Sequence, residues 1–173
     1  MKTWLVTGGI ASGKSEVCRI LRRAGYPVYD SDSRTKALYS SVPGLVQRVE
    51  EAVGVPFSGI GVIFEDERKR LSLEKVVFPE VLSDFRSWRS SQEAEVVFFE
   101  SAIALDKELF RPEFDAVLLV CAPEGQRRSR NPKVAARLAA QRLPDPSEAD
   151  FVIVNDGTLR ELESKVENFI HTI

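Results

Sequence analysis

Gly8-Gly9-Ile10-Ala11-Ser12-Gly13-Lys14-Ser15 combines the residue types and spacing needed to grip a polyphosphate. It fits G-x-x-x-x-G-K-[ST], the phosphate-binding P-loop. Glycines let successive backbone N–H groups turn inward around an anion, and the N-terminus of the helix that follows adds a favourable dipole. Lys14 would neutralise the β- and γ-phosphates of ATP, and the Ser15 hydroxyl would hold Mg²⁺. On this reading Gly9, Ile10, Ala11, Ser12, Gly13, Lys14 and Ser15 bind the nucleotide. The flanks agree with the loop: Lys2 to Thr7 reads as a buried strand before it, and Glu16 to Arg23 as a helix after it.

Further candidates follow the other apolar segments. Asp30-Ser31-Asp32 comes directly after a short strand. Strand C-terminal ends in open α/β sheets face the ligand crevice. A carboxylate there can accept a hydroxyl proton or order metal-bound water; it can also simply cap a helix. Glu100 closes the Phe98-Phe99 strand, a place for an acid near Mg²⁺ or for a buried, hydrogen-bonded acid. Arg68-Lys69-Arg70 reads first as a solvated helix face. Arg127, Arg130 and Arg137 are candidates for a lid that closes on a transferring phosphoryl group, or for an exposed basic helix. Asn155-Asp156-Gly157 is a turn that either cups a nucleotide base or caps the last helix.

Alternating strand and helix patterns must position these residues, which argues for an α/β sheet with helices on both faces. Strands are expected at Lys2–Thr7, Tyr26–Tyr29, Glu95–Phe99, Phe114–Val120 and Phe151–Val154. Helices are expected at Asp32–Ser40, at Gly44–Val53, at Arg68–Phe78, from Pro79 to about Gln92, and at Thr158–Ile170. Thr158 and Glu161 resemble a capping box. The all-helical stretch between the second and third strands is too long for a simple crossover and should form a subdomain.

The 173 residues suggest one domain, and a 43% hydrophobic fraction is enough for a real core. A net charge of −2 supplies no basic field for nucleic acid, and no apolar run is long enough to cross a bilayer. The N-terminus enters a strand at once, unlike a signal peptide. Cys18 and Cys121 lack metal-type spacing and read as reduced core thiols of a cytoplasmic protein. The single histidine, His171, reads as a surface or packing residue. The sequence lacks Asn-Lys-x-Asp, which argues against a GTPase. It also lacks an apolar run closing in Asp-Glu, which argues against a motor-type ATPase.

Taken in order, these residues resemble the dephospho-coenzyme A kinase family. The family's Thr-Gly-Gly-Ile-x-Ser-Gly-Lys-Ser is matched at Thr7–Ser15, and its Asp-x-Asp at Asp30 and Asp32. Its Arg-x-x-Leu-x-x-x-Val-Phe is matched at Arg70, Leu73, Val77 and Phe78, and its Pro-Glu-x-Gln at Pro123, Glu124 and Gln126. Arg137, Leu138, Ala139 and Gln141 match Arg-[Ile/Leu]-Ala-x-Gln; Ala149 to Gly157 match Ala-Asp-x-Val-Ile-x-Asn-x-Gly. A family stretch ending in His-Pro is missing between Phe78 and Pro79, and the segment from Arg130 to Arg137 is shorter than the family's.

The resemblance implies a three-layer α/β/α P-loop kinase fold with a five-stranded parallel sheet, a helical acceptor-binding subdomain and a short lid. The single domain would divide into a core at about 1–31, 95–124 and 142–173, a subdomain at about 32–94 and a lid at about 125–141. ATP and dephospho-CoA would be the substrates and Mg²⁺ the metal, in a monomer or weak homo-oligomer of the cytoplasm. Asp32 would be the general base, Lys14 and Arg137 would act on the phosphoryl group, and Ser15 would bind the metal. Asp32, Arg70 and Glu100 would meet the acceptor, and Asn155 the nucleotide. The missing stretch keeps two alternatives open: a P-loop kinase for another small molecule or nucleotide, and a nucleotide-binding paralogue with impaired catalysis.

Overall fold

The computed structural model describes residues 1–59, 66–130 and 143–173. Two compact units emerge, one from Met1–Asp30 with Glu93–Ile173, the other from Ser31–Gln92.

The first unit is built on five parallel strands: β1 (Lys2–Thr7), β2 (Val28–Asp30), β3 (Val96–Glu100), β4 (Ala116–Cys121) and β5 (Phe151–Val154), in the spatial order β2-β3-β1-β4-β5. β1 lies at the centre, buried along all but its first residue. That burial explains its unbroken apolar run, since a central parallel strand is covered on both faces. Because every pairing is parallel, all strand C-termini open on one edge. There β1 runs into the P-loop and Val6 stands in register with Glu100. Two aspartates secure the opposite edge. Thr3 N donates to the Asp115 carboxylate at 2.7 Å, and Val117 N donates to that of Asp150 at 2.8 Å. The Asp150 contact gives the Ala149-Asp150 motif a structural role.

Helix α1 (Lys14–Arg23) and the last helix, Leu159–Ile170, carry apolar residues at helical spacing and pack on one face of this sheet. Val17, Cys18, Ile20 and Leu21 join Leu162, Val166 and Phe169 over Trp4, Val6, Phe98, Leu118, Val120 and Ile153. Phe169 meets Trp4 edge-on at 5.0 Å and lies 4.9 Å from Phe151 and 6.2 Å from Phe98. With this many partners the site cannot collapse, so Phe169→Ala should cost about 3–5 kcal/mol, read as a lower urea midpoint at unchanged slope. Thr158 caps that helix as expected: its Oγ1 accepts from Glu161 N, and the Glu161 carboxylate accepts from Thr158 N. On the other face, Phe99 stacks on Tyr29 and packs against Phe110 and Phe114.

The second unit holds α2 (Ser31–Ser41), α3 (Leu45–Val53) and α4 (Glu67–Ser90). Leu38, Leu45, Val49, Val53, Val77, Val81, Leu82 and Phe85 are its buried apolar residues among those described. Ion pairs Arg48–Glu80 and Arg34–Asp84 join its helices at the surface.

Three expectations need correction. Pro79 does not open a new helix but lies inside α4. A mid-helix proline loses a backbone hydrogen bond and costs about 3 kcal/mol; here Val77 before it and Val81, Leu82 and Phe85 after it are buried, so packing holds the helix across the defect. The second strand starts at Val28 rather than Tyr26, because Tyr26 N donates to Leu21 O and so belongs to the close of α1. The fourth strand starts at Ala116 rather than Phe114, whose N–H donates to Arg111 O in a short turn. Among the described residues no helix is long and apolar enough to cross a membrane.

Candidate active site

The P-loop wraps from β1 into α1 at the C-terminal edge of the sheet. Its glycines are required by contact as well as by backbone angle. Gly8 has φ 144°, and a Cβ there would collide with the Val120 carbonyl of β4. Gly13 has φ 102°, and a Cβ there would collide with the Asn155 amide. Ala11, at φ 59°, is the one non-glycine residue with positive φ among the described residues. This left-handed region costs a non-glycine residue roughly 1–2 kcal/mol. Ser12 N donates to Gly9 O at 3.1 Å, closing the loop on itself, and Glu16 N and Val17 N donate to Gly13 O to start α1.

Lys14 folds over this loop. Its ammonium donates to the carbonyls of Gly8 at 2.9 Å and Gly9 at 3.0 Å, so the cation lies on the strand side of the loop. Ser15 Oγ donates to Glu100 Oε1 at 2.7 Å, uniting two candidates that are 85 residues apart in sequence. Glu100 is 8% exposed, and Asp30 is its register partner across β2–β3. The Cys18 thiol registers this acidity. Burial pushes its pKa well up; the Glu100 charge and a hydrogen bond from the thiol to Glu100 add to the rise, with a smaller push from Asp30. A serine hydroxyl and a carboxylate are hard oxygen donors of the kind Mg²⁺ takes while keeping several waters. These residues fit that ion.

Helix α5 (Glu124–Arg130) follows β4 and turns two arginines toward the loop, Arg127 buried and Arg130 exposed. Arg127 Nε donates to Ile10 O at 3.0 Å, and Arg130 reaches the carbonyls of Ala11 and Ser12 at 3.4 Å. Asn155 Nδ2 donates to Ser12 O at 2.9 Å, and its Oδ1 accepts from Arg130 at 3.4 Å. Asn155 therefore faces the loop, and Thr158, not Asn155, caps the last helix. The clustering of Arg127, Arg128 and Arg130 was visible in sequence. That Arg127 is 4% exposed was not, because a charged residue in a basic run normally stays solvated.

Asp32, Arg70 and Arg137 remain to be placed. Asp32 is exposed in the first turn of α2. Arg70, in α4, pairs with Glu67 at 3.6 Å and Glu74 at 4.0 Å. Both belong to the second unit. Arg137 lies outside the described residues, as do the other residues of its motif.

No family model matches the chain. Individual proteins do. A dephospho-CoA kinase of Thermus thermophilus is 33% identical over 176 residues, covering 91% of this chain and 85% of that enzyme. The chain belongs to the dephospho-CoA kinase family. A second relative, the dephospho-CoA kinase of Porphyromonas gingivalis, is 40% identical over 137 residues, covering 72% of this chain and 66% of that enzyme. The crystal structure of TT1252 from Thermus thermophilus superposes with a TM-score of 0.77 at 31% identity, covering 99% of this chain and 97% of that one. The parallel order β2-β3-β1-β4-β5 with a P-loop after the central strand is thus the α/β P-loop kinase fold.

Proposed function

We propose that this chain transfers the γ-phosphoryl group of ATP to the ribose 3′-hydroxyl of dephospho-CoA, giving CoA and ADP. The observation that carries this reading is the Ser15–Glu100 hydrogen bond beside Lys14, set on the P-loop of a chain from this family. A bond forms between the 3′-oxygen and the γ-phosphorus while the bond from that phosphorus to the β,γ-bridging oxygen breaks. The proton leaves the 3′-hydroxyl for Asp32, two residues beyond the strand end that pairs with Glu100. The loop amides and Lys14 stabilise the charge that moves onto the leaving phosphate. Ser15 and Glu100 would hold Mg²⁺, which when bound neutralises phosphate charge. Arg70 serves the acceptor, and Arg137 the lid.

The division of labour follows the chain. The sheet with its P-loop is the donor half; the helical stretch about 32–94 is the acceptor half; about 125–141 is the lid. The enzyme works in the cytoplasm as a monomer or weak homo-oligomer, without nucleic acid.

Purified protein incubated with ATP, Mg²⁺ and dephospho-CoA should form CoA and ADP in equal amounts. ADP release that prefers a different acceptor from a panel of alcohols and nucleosides would refute the assignment. Glu100→Gln keeps the Ser15 contact but removes the charge. It should raise the Mg²⁺ concentration for half-maximal rate by about 10–100-fold, read from a magnesium titration of the initial rate.

A further inference from the structure

The phosphate-binding loop is gripped from outside. A phosphate-binding loop presents backbone N–H groups to its anion, and where the carbonyls go decides which N–H groups can turn inward. A trans peptide points its C=O and the next residue's N–H in opposite directions. A donor that holds the carbonyl of one residue therefore aims the following N–H away from that donor. Two buried side chains do this here. Arg127 Nε holds the Ile10 carbonyl at 3.0 Å, which directs the Ala11 N–H to the far side. Asn155 Nδ2 holds the Ser12 carbonyl at 2.9 Å, which directs the Gly13 N–H the same way. The two held carbonyls bracket Ala11, the residue with positive φ. Strained backbone persists only where its surroundings over-determine it.

We propose that Arg127 and Asn155 form an external brace that sets the anion-binding conformation of the P-loop and so act as positioning residues for the nucleotide. The proposal rests on the reading of this loop as the ATP site. Neither side chain is an ordinary surface contact. Arg127 is 4% and Asn155 6% exposed, and Arg127 Nη2 is buried without a hydrogen-bond partner among the described residues. A guanidinium buried on one backbone hydrogen bond among the described residues carries a desolvation cost that an arginine left in solvent avoids. The steric fit is equally tight. A side chain at Gly9 would meet Arg127 Cζ at 2.9 Å, and one at Gly13 would strike the Asn155 amide. Arg130 is an accessory. Its contacts with the loop and with Asn155 lie at 3.3–3.4 Å, beyond the usual N–H···O range, so they add little to either. Gln126 Nε2, donating to Asp156 O at 2.7 Å, ties the helix that carries Arg127 to the turn that carries Asn155. The brace is therefore one connected structure spanning the ends of β4 and β5.

The test compares ADP affinity, by titration calorimetry with Mg²⁺, in wild type, Arg127→Met, Asn155→Asp, and each of these combined with Ala11→Gly. Asn155→Asp is isosteric but turns a donor into an acceptor against the Ser12 carbonyl. Each single variant should bind ADP about tenfold more weakly, the value of one charge-assisted or buried hydrogen bond, while KM for the acceptor stays at the wild-type value. Ala11→Gly removes the left-handed penalty and should restore part of the lost affinity in both backgrounds. A merely structural role would lower the melting midpoint without that rescue. If Arg127→Met does not fold, Asn155→Asp and its Ala11→Gly partner decide by the same readouts. Wild-type ADP affinity in the single variants, or no rescue by Ala11→Gly, overturns the brace. CoA formation measured alongside separates the two ideas. Activity with brace-independent ADP binding removes the brace alone, whereas brace-dependent ADP binding without CoA formation supports the brace and removes the proposed reaction.

Discussion

Asp32→Asn should lower kcat by about 10²–10⁴-fold, the usual contribution of a positioned general base, and leave ADP affinity unchanged. The amide is nearly the same size as the carboxylate and can still accept a hydrogen bond, but it cannot take the proton from the attacking hydroxyl. Asp32 is exposed in the first turn of α2, so the substitution buries nothing and leaves no polar group stranded. A helix-capping role predicts a different result, because asparagine caps as well as aspartate does. A general base loses kcat at constant melting midpoint, whereas a cap loses neither. Single-turnover quenching with radiolabelled ATP, run beside thermal melts, distinguishes them. Wild-type kcat in Asp32→Asn would remove Asp32 from the chemistry.

Lys14→Ala should reduce kcat/KM by about 10²–10³-fold, in line with loss of one preorganised charge-stabilising donor. Unlike Asp32→Asn, it should also weaken ADP binding, because on the proposed reading the ammonium would face phosphate in both the bound and the reacting state. Lys14 donates to the Gly8 and Gly9 carbonyls, so its loss also frees two loop carbonyls. Lys14→Arg tests whether charge alone suffices. A planar guanidinium does not reproduce a compact ammonium at this position, and the variant should stay close to Lys14→Ala. Initial rates over a matrix of ATP and acceptor concentrations, with ADP calorimetry, provide both numbers.

The two substitutions fall in different units of the chain. On the proposed reaction Lys14, in the unit that contains the sheet, would act on the donor, and Asp32, in the other unit, would act on the acceptor. The first substitution should then change nucleotide affinity and the second should not, a difference that a pair of calorimetric titrations reads.

Much of the unit that holds the P-loop was legible in the residues. The P-loop pattern is local: eight consecutive positions specify the turn, the helix start and the ligand type, and each requirement is met by a residue type rather than by a distant partner. The strands Lys2–Thr7 and Phe151–Val154 were equally legible, and their bounds agree with expectation. Errors arose where tertiary packing overrode a local rule. Pro79 is a helix breaker by propensity, yet it is crossed by α4 because buried residues on both sides hold the helix. Tyr26 looks like a strand residue, yet its N–H is drawn back to α1 by Leu21 O.

The residue types and their order thus determined the family, the fold and the identity of the loop, because those depend on short-range spacing and on the alternation of buried runs. Only the tertiary structure decided what surrounds the loop. Ser15 and Glu100 meet because β1 and β3 pair in parallel and end on the same edge. Arg127 and Asn155 reach the loop carbonyls because β4 and β5 end there too. A one-dimensional pattern records which side chains exist. Sheet register records which of them share an edge, and register is set by pairing between segments far apart in the chain.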